Sequence, residues 1–485
     1  MDDLPADEIT WRINNTRTGS VVAAAGCGKT EQIALAVAAL SATESGTARP
    51  LILTHTFAGV DVIRKRLSKM KVSAKSYQLD TIASWSLRFA TAYPKTSKIS
   101  SPSPVTNDDW DELYPVATRL VASGTVDDVL SASYSRIFVD EYQDCVADQH
   151  TLITSLNRVL PVCIFRDPLQ SIFKFAGAID WDSDIEPYFP QLLKLTKPWR
   201  WSKEGANSAL GIKLAELRKS IEAGTALDFT NDRDGISRLP LPIDPRFRST
   251  AIETLCRETM ELEGTLLVVA DSQSDNRRAK MIERLAKQKF SALEPLASKT
   301  LTKHAKAIEE ATDGKRLEAT LAFLKACMGG VTKEFSDGVA SKHKGGKAKR
   351  LKYGGLLDVG DRVDRADGFR EVLPLVEGFM DRDDTYPYRR ELLSAIISGL
   401  RTVDAEGGSL IDAVTDFQTR SRHLGRHIPR RSIGSTLLVK GLEVDHVIIV
   451  EYPKMTGEDW YVALTRAVKS VIILSRSAVI STGIE

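Results

Sequence analysis

Two short segments hold side chains whose types and spacing suit chemistry on a polyphosphate. In the first, Ala23-Ala24-Ala25-Gly26-Cys27-Gly28-Lys29-Thr30 follows an apolar run, Val21–Ala24, and precedes good helix formers from Glu31 to Leu40. Glycine permits backbone conformations in which successive N–H groups wrap an anion. A helix that starts there adds the positive end of its dipole. In such a loop Lys29 would reach the β and γ phosphates, outside the hydrophobic core, and Thr30 would hold Mg²⁺. The phosphate-loop pattern is met except at its first position, where Ala23 stands for Gly. Ala25, Gly26, Cys27, Gly28, Lys29, Thr30 and Glu31 are therefore the candidate nucleotide-binding residues. The competing reading, a small-residue turn with a chance Gly-Lys-Thr, is disfavoured by the strand before and the helix after.

The second segment, RIFVDEYQDC at 136–145, ends an apolar run in two adjacent acids, Asp140 and Glu141. Burying charge is costly unless it is paired or holds a metal. A solvated acidic turn is one explanation. The phosphate loop upstream offers another: an Asp at the end of a second strand binds Mg²⁺, and the following Glu polarises the attacking water as general base. Asp140 and Glu141 fit those two roles. Small-metabolite kinases share the loop but do not need the Asp-Glu pair followed by Gln143 and Asp144.

These groups must be held by elements the sequence also marks. Apolar runs near 20–24, 51–54, 136–140 and 162–166 alternate with helical stretches, as do TLLVVA (265–270), HVIIV (446–450) and SVIIL (470–474). Continuous apolar strands between helices indicate parallel sheets buried on both faces. At 485 residues the chain exceeds one core, and ordinary domain sizes imply roughly three or four units. Hydrophobic and charged contents of 42% and 27% are those of a soluble globular protein. No apolar run reaches the length of a membrane span. The acidic, polar start, MDDLPADEIT, is unlike a signal peptide. Cys27, Cys145, Cys163, Cys256 and Cys327 form no Cys-x-x-Cys pair, so a reducing, cytoplasmic location is expected.

Net charge is only +2, but basic residues cluster. SKHKGGKAKRLK (341–352) holds six Lys or Arg, and QTRSRHLGRHIPRR (418–431) holds five Arg, neither with an acid. Both fit phosphate backbone or a solvated loop; the guanidinium-rich segment is the better phosphate candidate. His423 and His427 lie four apart, without the further ligands a metal site needs.

Within the second segment, VDEYQDC (139–145) resembles the VDExQD signature of superfamily 1 helicases of the UvrD/Rep/PcrA type. Further blocks resemble that family's in order: LILTHTFAGVDVIRKRL (51–67), TIASW (81–85), IFRDPLQSIFKFAGA (164–178), LTKPWRWS (195–202), LLVKGLEVDHVIIV (437–450) and WYVALTRAVKSVIIL (460–474). The resemblance implies ATP and Mg²⁺ as cofactors. It implies Gln170 as γ-phosphate sensor, Arg200 and Arg466 as arginine fingers, Trp199 stacked on adenine and Glu443 at the ribose. Gln143 and Asp144 would couple nucleotide state to the second lobe. Thr54, Thr56, Thr81, Ser84 and Phe175 match DNA-contacting positions; for Phe175, core packing is the alternative.

The chain departs from the family pattern at several positions. Residues 1–22 contain no Gln to read the adenine edge. Ala176 stands where the family has Arg, Arg166 replaces Gly, Phe57 replaces Asn and Leu437 replaces His. The hydrolytic set is intact, whereas positions tied to DNA and coupling have changed.

The resemblance implies an α/β fold with two RecA-like parallel-sheet lobes and mainly helical insertions. The first lobe would comprise 1–87 and 135–202, interrupted by a small insertion at 88–134 that opens in a loop, YPKTSKISSPSP. The second would comprise 203–285 and 430–485, with a larger helical insertion at 286–429, including KRLEATLAFLKACM and YRRELLSAIISGL. A chain this compact is similar to the helicase-like subunit of Gabija-type anti-phage systems, which works beside a nuclease. A free-standing repair helicase is the alternative. Three functions follow: a 3′–5′ motor on single-stranded or tailed DNA; a DNA-sensing regulatory ATPase that licenses a partner nuclease; and, against the ordered blocks, a small kinase. The family leans to DNA over RNA, and no membrane partner is expected.

Overall fold

A computed structural model describes residues 4–43, 47–100, 107–172, 179–270, 274–293, 299–312, 314–343, 350–365, 370–424 and 428–482. Phe175 and Ala176 lie outside the described residues, as does His427, and nothing is said of the side chains of Arg420, Arg422 and His423. The chain divides into two compact units: Met1–Ile236 with Met455–Ser470 and Val479–Glu485, and Ser237–Lys454 with Val471–Ala478.

The first unit is built on six strands: β1 (Thr18–Ala23), β2 (Arg49–Thr54), β3 (Gln78–Thr81), β4 (Tyr134–Val139), β5 (Val162–Arg166) and β6 (Gln191–Leu195). Their order is β3-β2-β4-β5-β1-β6, and every pair is parallel. Because strand side chains alternate, each apolar run serves two cores. Ile52, Phe138, Cys163 and Phe165 pack with Ile33, Val37 and Ile63 on one face. Leu51, Leu53, Ile137, Val139, Val162 and Ile164 pack with Trp85, Leu120, Val121 and Leu152 on the other. The helices Asn107–Ala122 and Asp127–Ser133 contribute to that second core, so this stretch shares the sheet's interior. The stretch expected as a loop from Tyr93 instead begins with a helical turn, Pro94–Ser97, because proline at the first helical position has its φ preset and its missing N–H costs nothing.

A second six-stranded sheet lies mainly in the second unit. Its strands are β7 (Ile236–Pro240), β8 (Leu266–Val269), β9 (Ser291–Ala292), β10 (Arg431–Gly434), β11 (Val444–Val450) and β12 (Ala467–Ser475), in the order β9-β10-β8-β11-β12-β7. The pairs β9–β10, β10–β8 and β11–β8 are parallel. Helices from Lys299 to Leu424 bury a separate core that includes Phe323, Phe335, Phe379 and Ile396. The α/β class with two parallel-type sheets and helical additions is thus present.

Arg431, in the arginine-rich segment, is a structural residue. It is 5% exposed, and its guanidinium donates to the carbonyls of Met260, Leu262 and Gly264 at 2.9, 2.7 and 2.7 Å. Those donors are not available to phosphate. The run of five arginines therefore does not act as one patch, because the last of them is turned inward by its place on β10.

Candidate active site

Parallel strands present their C-terminal ends along one edge, where α/β proteins bind ligands. In the first unit the neighbours β4, β5 and β1 end there in Val139, Arg166 and Ala23. The phosphate loop follows β1 and opens the helix Lys29–Thr43. Gly26 and Gly28 have φ of +72° and +88°, values L side chains rarely adopt. A Cβ on Gly26 would also lie 2.6 Å from the Trp201 ring. Thus glycine is required there for space as well as for backbone conformation.

The sheet ladder extends one residue past β4, since Asp140 N–H donates to Leu53 O at 2.8 Å. Glu141 then turns the chain with φ +55°, a left-handed conformation that costs a non-glycine residue roughly 1 kcal/mol or more. Asp140 Oδ1 accepts the Glu141 N–H at 3.0 Å. These two contacts aim the acids differently. Asp140 is buried against Thr30, whose Oγ1 lies 3.5 Å from Asp140 Oδ2. Glu141 Oε1 is 3.7 Å from Lys29 Nζ, and its other oxygen accepts from Gln143 Nε2.

The sequence pattern places Lys29 outside the core, but the structure buries it to 7% exposure. Burial alone would lower its pKa; the charges of Glu141, Asp167 and Asp140 outweigh that, and the pKa rises. Asp140 moves up to about 7, first through burial and next through the charge of Glu141, against the opposing effect of Lys29. Burial likewise raises the Cys27 thiol to about 11, so it is no nucleophile at neutral pH. A buried carboxylate with so high a pKa, beside a hydroxyl, suits a hard cation with oxygen ligands. Thr30 and Asp140 would hold Mg²⁺ together with water and phosphate oxygens.

Gln170 and Arg466 come together: Arg466 Nη2 donates to Gln170 Oε1 at 3.4 Å, and both are buried. Arg466 Nε is fixed by Val462 O at 2.8 Å. Arg200 donates from Nη1 to Thr465 O at 2.5 Å, and its backbone N–H donates to Gly26 O in the phosphate loop at 3.1 Å. Trp199 is 50% exposed, with Lys197 Nζ 3.9 Å from a ring centroid. A Cβ on Gly28 would lie 3.6 Å from its Cδ1, so the indole stands at the rim of the loop. Glu443 is an exposed residue of the second unit, just before β11.

The candidate DNA-contacting residues have local structural work. Thr56 Oγ1 accepts from Gly59 N at 3.1 Å and caps the helix Phe57–Lys69. Thr81 Oγ1 accepts from Ser84 N at 3.0 Å and caps the helix Ile82–Ala92. Thr54 is buried, and Ser84 Oγ accepts from Thr81 Oγ1 at 2.9 Å.

Asp167, Arg218 and Tyr461, three residues of a buried network, were not among the expected site residues. Asp167, fully buried, accepts from Arg218 Nη1 at 2.7 Å, from Gln170 Nε2 at 2.7 Å and from the Tyr461 hydroxyl at 3.3 Å. The Tyr461 oxygen also accepts from Ala25 N at 2.9 Å and from Arg218 Nη1 at 2.6 Å. Burial and the Asp167 charge push the Tyr461 phenol far above its ordinary pKa, so it stays neutral. Arg218 is raised, its burial outweighed by the charges of Asp167 and Tyr461. Asp167 and Tyr461 fall inside helicase-like blocks and were legible as neighbours of Gln170 and Arg466. Arg218, in the surface-like run KLAELRKSIEAG, carried no signal.

Residues 103–180 match the family model of the UvrD/REP helicase N-terminal domain. That segment contains Asp140, Glu141, Gln143 and Gln170; the phosphate loop, Arg200 and Arg466 lie outside the UvrD/REP match. No curated protein matches the chain. Among solved structures, a complex of arterivirus nonstructural protein 10, a helicase, with DNA matches at 9% identity and a TM-score of 0.35, covering 96% of this chain and 63% of that one. The chain therefore spans less than two thirds of that helicase.

Proposed function

We propose that this chain is an ATP-dependent motor of the UvrD/Rep/PcrA type that hydrolyses ATP to move on single-stranded DNA, 3′ to 5′. The observation that carries this reading is one site holding the loop lysine, the strand-end Asp-Glu pair, Gln170 and Arg466. Loop amides and Lys29 bind the phosphates, while Thr30 and Asp140 hold Mg²⁺. Glu141 takes a proton from the attacking water. Gln170 reports the γ-phosphate, and Arg200 and Arg466 stabilise charge developing on it. The indole of Trp199 stacks on the base, and Glu443 meets the ribose. Lys29 and Arg466 contact Glu141 and Gln170 before substrate arrives.

Residues 1–87 with 135–202 and 203–285 with 430–485 would form the two RecA-like lobes, with 88–134 and 286–429 inserted. The chain is cytoplasmic in this reading, consistent with five free buried cysteines. It would serve anti-phage defence beside a nuclease subunit, as the resemblance to Gabija-type helicase-like subunits suggests.

A second reading has its own support. Thr54 and Thr81 are buried and Thr56 is spent on a helix cap, which leaves few of the candidate DNA contacts free. The same ATPase would then sense DNA and license a nuclease without processive unwinding. Steady-state ATP turnover with and without single-stranded DNA, measured beside strand separation on a 3′-tailed duplex, separates the two. Stimulation with unwinding supports the motor and stimulation alone supports the sensor. Turnover indifferent to DNA defeats both.

A further inference from the structure

Arg166, the last residue of β5, is a buried donor group that the active-site network does not use. It is 9% exposed, and its guanidinium lies over the Trp181 indole with Cζ 3.1 Å from a ring centroid. Its Nε is buried and without a hydrogen-bond partner. Among the described residues no carboxylate or carbonyl pairs with the guanidinium. Burial lowers its pKa to about 10, with Glu186, Asp182 and Asp167 acting in the other direction, so it is charged at neutral pH. The group borders a cavity of about 140 Å³, lined also by Gln143, Asp144, Pro168, Ser171 and Ile179.

A buried charged donor left unpaired is unfavourable, and each such group in a folded protein calls for an explanation. Stacking on Trp181 fixes the plane of the guanidinium, and its N–H edge is the part of such a group that grips phosphate oxygens. We propose that this cavity is a subsite for one phosphodiester of a single-stranded nucleic acid, with Arg166 as its donor. The proposal rests on the DNA reading above and names a contact for it.

The lining selects a diester. Asp144 faces the cavity, and Asp182 and Glu186 lie near Arg166, so a dianionic phosphate is opposed more strongly than a monoanionic diester. Pro168 and Ile179 provide an apolar wall for a sugar. The place also matters: Arg166 immediately precedes Asp167, which accepts from Gln170 Nε2 at 2.7 Å. An occupied cavity would therefore sit one residue from the group that orients the proposed γ-phosphate sensor.

The test uses the full chain and a labelled short oligothymidylate, with binding followed by fluorescence anisotropy over a NaCl series. Arg166→Gln is expected to weaken binding roughly tenfold and to lower the magnitude of the salt slope by about 0.7, the value for one phosphate of a single strand. Arg166→Lys should keep the slope and lose part of the affinity. Trp181→Leu, which removes the platform, should weaken binding as well. Inorganic phosphate should not displace the oligonucleotide. If the wild-type chain binds and both Arg166→Gln and Trp181→Leu bind equally well with an unchanged slope, the subsite is wrong and the DNA reading survives. If the wild-type chain does not bind, both fall. Displacement by inorganic phosphate overturns the diester assignment.

Discussion

The phenol oxygen of Tyr461 accepts the N–H of Ala25 at 2.9 Å, tying the phosphate loop to a helix 436 residues downstream. The same oxygen touches Arg218 and Asp167, which in turn holds Gln170. One hydroxyl thus links the loop to the proposed γ-phosphate sensor. Tyr461→Phe leaves the ring in place and removes the oxygen, stranding a buried N–H. The variant should lose about 1–3 kcal/mol of stability in urea unfolding, and its KM for ATP should rise. An unchanged KM would confine Tyr461 to a structural role.

Arg218 and Asp167 form a buried ion pair at 2.7 Å, with side-chain exposures of 9% and 0%. Removing one member of such a pair leaves an uncompensated charge, at a cost of about 3–5 kcal/mol. Arg218→Met should therefore be severely destabilised. Adding Asp167→Asn should recover part of the loss, because the charge it would leave behind is gone. A double variant no more stable than the single one would argue against the pairing.

Glu141 is the proposed base, and its left-handed backbone and the Lys29 contact aim it. Glu141→Gln should bind ATP with near-normal affinity and hydrolyse it about 10²–10⁴-fold more slowly. A normal rate in a single-turnover assay would remove Glu141 from that role.

Lys29→Ala should reduce turnover to background. Because Lys29 is buried against three carboxylates, it should also lower the melting temperature. The deficit should grow between pH 6 and 8, as Asp140 ionises without its counter-charge. A pH-independent deficit would mean that lost packing is the cause.

Asp140 has a folded-state pKa of about 7, above the ordinary 3.8. A raised acid pKa means that the folded state holds its proton more tightly than the unfolded chain does. The corresponding stability is full below about pH 4 and is lost as pH rises through about 7. Asp140→Asn should accordingly melt higher than the wild-type chain at pH 8 without nucleotide, with the gap closing toward pH 4. Calorimetry in buffers of different ionisation enthalpy should detect proton release when Mg²⁺ and nucleotide bind at pH 6, and little at pH 8.

Much of the site was legible because its chemistry is local. Glycines flanking Cys27, a lysine before a helix and two acids after an apolar run each follow from the needs of adjacent backbone. So do the strands, since continuous runs such as Ile137–Val139 and Val162–Phe165 fit a parallel sheet covered on both faces. Tertiary structure alone decided which charged side chains are inside. Lys29 and Arg431 sit in polar surroundings in the sequence, yet carboxylates gather around one and three carbonyls around the other. Arg218 reads as one face of a surface helix until Asp167 and Tyr461 meet it across 51 and 243 residues of chain. Burial of a charge depends on partners that only folding brings within a few ångströms, and no local pattern encodes their arrival.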